Sequence, residues 1–377
     1  MAGIITAIVG FSSSFAVVIA GLRAVGATAD QAASGLLILC LTVGVGCIAF
    51  GLMYRRPITL AWSTPGAALL ATAVAPGGFG VAVGAFVVSG LLLAVTGLVP
   101  AVAAAVRSIP QAVASAMLAG VLLVLCTAPF RALPESPWAI GSVLLTWAVL
   151  VRVAPRWAVP GALVASGVAM AASGALTGLS VASMAPRVEW VSPQWSLQAV
   201  IALAVPLYLV TMTSQNIPGA AVMAGFGYEV PFRPVVAFTG AASAAGAVLG
   251  GHAINLSAIS AALAAGPEAG RDPSRRWLAA VSTGVTYLVL GVTAQAVVTV
   301  AEAAPPGLFA AVAGVALLSS LALATAQALE RAEARLAAAV TLVVAASGVQ
   351  IGGIGSAFWA LVAGYVLYVL TVPRHLR

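Results

Sequence analysis

The sequence predicts an all-α membrane protein with 14 transmembrane segments in a 7+7 inverted repeat, segments 3 and 10 being half-helices. Three observations carry that expectation. First, 62% of the 377 residues are hydrophobic and 7% are charged, where a soluble domain carries about 25% charged residues. So little charge does not cover a water-facing surface, and lipid is the solvent that fits. Second, the apolar runs fall into seven, a polar interval, and seven more. Third, two short runs, each third in its half, are interrupted by Gly or Pro.

A membrane helix needs about 20 apolar residues, so this length allows about 12 to 14 crossings and leaves no separate soluble domain. Runs bounded by Arg, Pro, Gly or acidic residues put the first spans at about 3–22, 30–52, 58–73, 79–98, 107–126, 136–152 and 158–179. The stretch Ala185-Pro186-Arg187-Val188-Glu189-Trp190-Val191-Ser192-Pro193 follows. The second series falls at about 195–216, 233–250, 252–266, 276–301, 306–321, 333–350 and 354–372. The chain, 1–377, reads as a single transmembrane domain, with repeat one at about 1–180 and repeat two at about 194–373. An odd number of crossings in each half inverts the second half relative to the first. No basic stretch precedes the apolar run beginning Met1-Ala2-Gly3, so a first span is expected there rather than a cleavable signal.

Arginine placement sets the orientation. With both termini cytoplasmic, thirteen arginines face the cytoplasm: Arg55, Arg56, Arg107, Arg152, Arg156, Arg233, Arg271, Arg275, Arg276, Arg331, Arg335, Arg374 and Arg377. Only Arg23, Arg131 and Arg187 face outward, a strong positive-inside bias. All 16 basic residues are Arg, and the net charge of +7 reads as membrane topology rather than affinity for nucleic acid. With an Ala-rich composition, this points to a GC-rich bacterium and a multi-pass protein of its cytoplasmic (inner) membrane. Cys40, Cys47 and Cys126 sit in apolar runs as small hydrophobes, with neither zinc-ligand spacing nor a disulfide framework.

The third segment opens Pro57-Ile58-Thr59-Leu60-Ala61-Trp62-Ser63-Thr64-Pro65-Gly66, and the tenth opens Gly250-Gly251-His252-Ala253-Ile254-Asn255-Leu256-Ser257. Each reads as an extended piece followed by a short helix. Unsatisfied amides in hydrocarbon cost several kcal/mol each, so such breaks persist only beside a cavity or packed on protein. A half-helix N-terminus carries about half a positive charge. Two of them meeting near the midplane suit an anion. Thr64 is the expected N-cap of the first, with Pro65 in its opening turn, and Asn255 or Ser257 is expected to cap the second. For these residues plain capping stands beside ligand contact. Gln215 and Asn216 are the strongest polar pair within a span, and Pro218-Gly219 opens the backbone after them. Their plainer role is hydrogen bonding between helices. Ser12, Ser13 and Ser14 are weaker candidates. Phe15 and Trp62 stand ready either to face an aromatic ligand or to pack. Trp138, Trp157, Trp190, Trp195 and Trp277 sit near span ends as interfacial anchors.

His252 is the one histidine near membrane depth, His375 being in the tail, and no carboxylate falls well inside a span. It is the internal candidate for proton coupling. A neutral, hydrogen-bonded histidine and a substrate that carries its own proton are the other readings. The sequence has no nucleophile elbow, phosphate loop, metal motif or paired carboxylates. A transporter is therefore expected rather than an enzyme, with no cofactor and no metal.

Four stretches resemble the signatures of the BenE-type benzoate/proton symporters: Arg56-Pro57-Ile58-Thr59-Leu60-Ala61-Trp62-Ser63-Thr64-Pro65-Gly66-Ala67-Ala68-Leu69-Leu70, Thr213-Ser214-Gln215-Asn216-Ile217-Pro218-Gly219, Gly250-Gly251-His252-Ala253-Ile254-Asn255-Leu256, and Gly266-Pro267-Glu268-Ala269-Gly270-Arg271-Asp272-Pro273-Ser274-Arg275-Arg276. The likeness covers nearly the whole chain. It implies a fold shared with nucleobase and sulfate transporters. A core domain (about 1–98 and 195–301) moves elevator-like against a gate domain (about 107–179 and 306–372). It implies import of benzoate or a similar aromatic carboxylate with protons, the substrate lying between the half-helices. The candidate binding residues are Ser13, Ser14, Phe15, Thr64, Pro65, Gly66, Gln215, Asn216, Asn255, Leu256 and Ser257, with His252 for proton coupling. Nucleobase carriers of this fold typically place glutamates on segments eight and ten. Gln215, Asn216 and Asn255 stand in those regions here, and the lack of a fixed carboxylate suits an anion. A carrier of another small planar or anionic solute, such as a nucleobase, and an anion channel are the alternatives. The sulfate branch usually adds a cytosolic domain, which is not expected after a last span ending near 372. A lipid bilayer is the expected surrounding, no nucleic acid is expected, and a homodimer is left open.

Overall fold

A computed structural model describes residues 1–377 except 74–76, 178, 181–183 and 374–377, with only the backbone of Arg107. Arg374, His375 and Arg377 of the expected cytoplasmic tail, and residue 178 of the seventh expected span, lie outside the described residues. The chain runs through α1 (Ala2–Ser12), α2 (Phe15–Ala24), α3 (Ala29–Tyr54), β1 (Leu60–Trp62), α4 (Thr64–Thr72), α5 (Phe79–Leu98), α6 (Pro100–Arg107), α7 (Gln111–Ala132), α8 (Pro137–Val153) and α9 (Ala158–Ala172). After an extended stretch come α10 (Leu197–Ala199), α11 (Val205–Thr211), α12 (Ile217–Gly225), α13 (Phe232–Ala247), β2 (Ile254–Leu256), α14 (Ile259–Ala265), α15 (Trp277–Val292), α16 (Ala294–Glu302), α17 (Leu308–Leu329), α18 (Arg335–Ala346) and α19 (Ser356–Thr371). Among the described residues, six helical stretches are long and apolar enough to cross a membrane, or seven if the bent pair α15–α16 counts as one. The protein is a multi-pass membrane protein.

The Gly- and Pro-interrupted runs are the two strands. β1 and β2 pair antiparallel, Leu60 opposite Leu256, Ala61 opposite Asn255 and Trp62 opposite Ile254. Each strand satisfies the other's backbone at depth, as lipid requires, and each is followed by a short helix, α4 or α14. Gly250 makes the turn into β2 at φ +88, and a Cβ there would fall 2.8 Å from the Gln31 carbonyl. α5 and α13 approach closely because small residues face each other: Gly90 lies against Ala244, Gly97 against Ala237 and Gly240 against Ala94. This is how helices pack when lipid offers no hydrophobic drive.

Several expected boundaries shift. α6 is a separate helix ahead of the fifth span, which runs Gln111–Ala132 rather than from 107. The eighth continues past 216 as one stretch, Leu197–Gly225. The twelfth extends to Leu329. The eleventh is bent by 52° between α15 and α16. The eighth also contains two π turns, Val200–Ala204 and Met212–Asn216. Pro206 and Pro218 follow them. Each proline lacks an N–H and crowds the carbonyl four residues back, and the wider turn relieves that clash. Trp138, Trp190 and Trp195 are exposed. Trp277 differs: the Arg55 guanidinium lies over its ring at 4.3 Å.

Candidate functional site

The strand crossing is built by polar side chains that serve the backbone. Ser63 caps α4, its Oγ accepting from the Gly66 N–H at 3.1 Å. The cap is thus Ser63 and not the expected Thr64, which is the first residue of the helix with Pro65 second. The Thr211 hydroxyl donates to Ser63 Oγ at 2.9 Å. The N-cap of the second half-helix is Ala258 and neither Asn255 nor Ser257, though Ser257 Oγ, one residue earlier, accepts from the Ser260 N–H at 3.0 Å in its first turn. Asn216 is fully buried; its Oδ1 accepts from the Leu256 N–H at 2.9 Å, and its Nδ2 faces Met212 Sδ at 3.4 Å. Asn255 is equally buried; with its amide oriented by hydrogen bonding, Oδ1 accepts from the Ser63 N–H (3.1 Å) and Nδ2 donates to the Leu256 carbonyl (3.0 Å). The Ser257 N–H donates to the Thr59 carbonyl at 3.0 Å. The amides of Gly66, Leu256 and Ser257, expected to point at a ligand, are therefore spent on the protein.

What remains faces a small cavity of about 50 Å³ between the α1–α2 break, β1, the second π turn and α14. Ser13, Ser14, Thr64, Gln215 and Ser257 of the sequence-predicted set line it; Phe15, Pro65, Gly66, Asn216, Asn255 and Leu256 do not. Ser13 and Ser14 turn their hydroxyls to the Gly10 carbonyl, at 3.1 and 2.8 Å. Ser14 Oγ also accepts from Trp62 Nε1 at 2.8 Å. Trp62 stands edge-on to Tyr287 and Phe11, with centroids 5.5 and 5.8 Å away, so the wall beside the polar groups is aromatic. Phe15 instead stacks on Phe11 and meets Phe309 at 5.9 Å, lining a separate apolar cavity of about 320 Å³.

Sequence reasoning missed Ser260, Tyr287 and Gly10. All three line the same cavity. Tyr287 is almost fully buried, and a Cβ on Gly10 would fall 2.6 Å from its hydroxyl. A tyrosine amid the apolar run Gly284–Val292 was the available signal, since a buried tyrosine needs a partner. Among the described residues, the Thr64 and Ser260 hydroxyls, the Gln215 amide and the Tyr287 hydroxyl make no hydrogen bond to protein. Four neutral groups able to donate thus converge on one space with no carboxylate in its lining. That set suits a carboxylate or another planar acceptor.

His252 is buried, and among the described residues neither ring nitrogen has a hydrogen-bond partner of ordinary geometry. It does not line the cavity. Outside the membrane segments, Asp272 accepts from the Ser274 N–H (2.9 Å) and hydroxyl (2.7 Å). Those bonds hold its carboxyl below the usual carboxylate range. Among the described residues no three metal-ligating side chains come together.

A multi-pass helical chain with two crossed strand–helix segments around a buried polar cavity is a membrane transporter by class. The fold matches solved structures. The transmembrane domain of a cyanobacterium bicarbonate transporter, BicA, superposes with TM-score 0.61 at 15% identity, over 97% of each chain. The structure of SLC26A9 gives 0.64 at 13% identity, over 98% of this chain and 64% of that one. In sequence, residues 1–370 match the profile of the benzoate membrane transport protein family, BenE, and the chain belongs to that family. Inner membrane protein YdcO of Escherichia coli K12 is 38% identical over 98% of this chain and 95% of its own length. The benzoate membrane transport protein of Acinetobacter baylyi is 27% identical over 99% and 95%.

Proposed function

We propose that this protein imports benzoate or a similar aromatic carboxylate together with protons, by alternating access, with the substrate held between the half-helices at α4 and α14. The observation that carries the reading is the cavity lining: four unpaired neutral donors, no acid, and the Trp62–Tyr287 aromatic wall. A carboxylate gains charge-assisted hydrogen bonds from hydroxyls and an amide, and a fixed carboxylate would repel it. The family and the A. baylyi relative's name favour benzoate.

The cavity of about 50 Å³ is smaller than the ~150 Å³ that holds a benzene ring. Substrate entry therefore demands movement. The packing supports an elevator reading. α17 and α18 lie along α7, α19 packs on both α18 and α7, and α8 pairs with α9, which together make the proposed gate. α3 packs on α15, α1 on α15, and α5 on α13, which make the proposed core. Contacts between the two groups are sparser and run mainly through α4–α7, α2–α17, α1–α9 and the second π turn against α7. Both termini are proposed to be cytoplasmic, in a bacterial inner membrane. His252 is the proposed internal proton group, acting through β2 because it does not reach the cavity.

The test is a competition panel against uptake of labelled benzoate by the reconstituted protein. Substituted benzoates should compete, and uracil and bicarbonate should not. Stronger competition by uracil than by any aromatic acid would replace the carboxylate reading with the nucleobase one.

A further inference from the structure

A second, larger cavity lies at the end of the molecule where α7 begins and α19 finishes. Its volume is about 600 Å³, within the range of about 300–1,000 Å³ typical of small-molecule sites. Polar and aromatic groups from four parts of the chain line it: Ser108 and Gln111 at the start of α7, Thr213 in the second π turn, Arg331 after α17, and Tyr365 and Tyr368 on α19. Among the described residues no acidic side chain is in the lining.

Three features converge on an aromatic anion. Arg331 supplies a permanent positive charge. The wall at Ser108–Gln111 is the N-terminus of a 22-residue helix whose N-cap, Pro110, has no capping side chain, so the positive end of its dipole faces the space. Tyr365 and Tyr368 stand one turn apart and offer two ring faces, and their hydroxyls make no hydrogen bond among the described residues. The Gln111 amide is held in place by its bond to Ser115 Oγ at 2.9 Å, which in turn donates to Gln327 at 3.2 Å. Thr213 and Ile217 of the lining flank Gln215, so one π turn separates this cavity from the central one.

We propose that this cavity is a second binding site for an aromatic monocarboxylate, a vestibule from which substrate passes to or from the central site. The proposal rests on the aromatic-carboxylate reading above. Its test is equilibrium binding of labelled benzoate to the purified full chain in nanodiscs. Two benzoates per chain are expected, one of them weakened by salt and not displaced by benzamide, which lacks the charge. R331Q should weaken that site by about tenfold or more, the loss of a charged hydrogen-bonding partner, while the other site is retained as proof of folding. R331K should restore most of the affinity. A single benzoate per chain, bound equally by wild type and R331Q, would overturn the vestibule and leave the central reading standing. No benzoate bound to wild type at all would overturn the substrate reading, and this site's ligand with it.

Discussion

Gln215 and Asn216 are neighbours in sequence, and the structure predicts opposite consequences for losing them. The Asn216 side chain is buried with its Oδ1 on the Leu256 N–H. Asn216→Ala strands that amide at a fully buried position, at a cost of about 1–3 kcal/mol. The cost falls on β2 and therefore on the β1–β2 crossing. The Gln215 side chain bonds nothing in the protein among the described residues, so Gln215→Ala should change stability by less than about 0.5 kcal/mol. On the proposed carboxylate reading it also removes one hydrogen bond to a charged ligand, about 1.5–3 kcal/mol, or about 10- to 150-fold in apparent affinity. The assay pairs unfolding of each variant in mixed micelles with benzoate uptake kinetics at matched protein levels. Asn216→Ala should unfold more easily, and Gln215→Ala should keep wild-type unfolding with a raised KM. An Asn216→Ala protein as stable as wild type, with a raised KM, would refute this division of labour.

Other outcomes follow from the same geometry. Tyr287→Phe should raise KM several-fold without loss of folding, read in the same uptake assay. Gly10→Ala should abolish or sharply reduce uptake, because its methyl group would meet the Tyr287 hydroxyl 2.6 Å away and close the cavity. Ser63→Ala should cost about 1 kcal/mol through loss of the α4 cap, measured by unfolding. His252→Gln should leave benzoate binding near wild type and flatten the dependence of uptake on the proton gradient; an unchanged dependence would return proton carriage to the substrate.

Much of the fold was readable because lipid leaves so few solutions. Pro57–Gly66 and Gly250–Ser257 break the apolar pattern in ways only strand-then-helix segments satisfy, and both segments form. The polar set was half readable. Ser63 and Thr64 are both hydroxyl residues beside Pro65, and local rules do not say which one caps. The partner of Asn216 is Leu256, 40 residues away, and sequence spacing says nothing about such a contact. Ser260, Tyr287 and Gly10 reach the cavity only through packing of α1 and α14 on α15. The π turns were invisible for another reason: proline signals a disturbed helix but not how the turn absorbs it.

The central claim is that an aromatic carboxylate crosses this protein driven by protons. Uptake of labelled benzoate into proteoliposomes, with and without an inward proton gradient and corrected for passage through empty liposomes, tests it most directly. Saturable uptake that rises with the gradient, is blocked by unlabelled benzoate and is lowered by Gln215→Ala is the result the account predicts. Uptake equal to that of empty liposomes, or insensitive to the gradient, would contradict it.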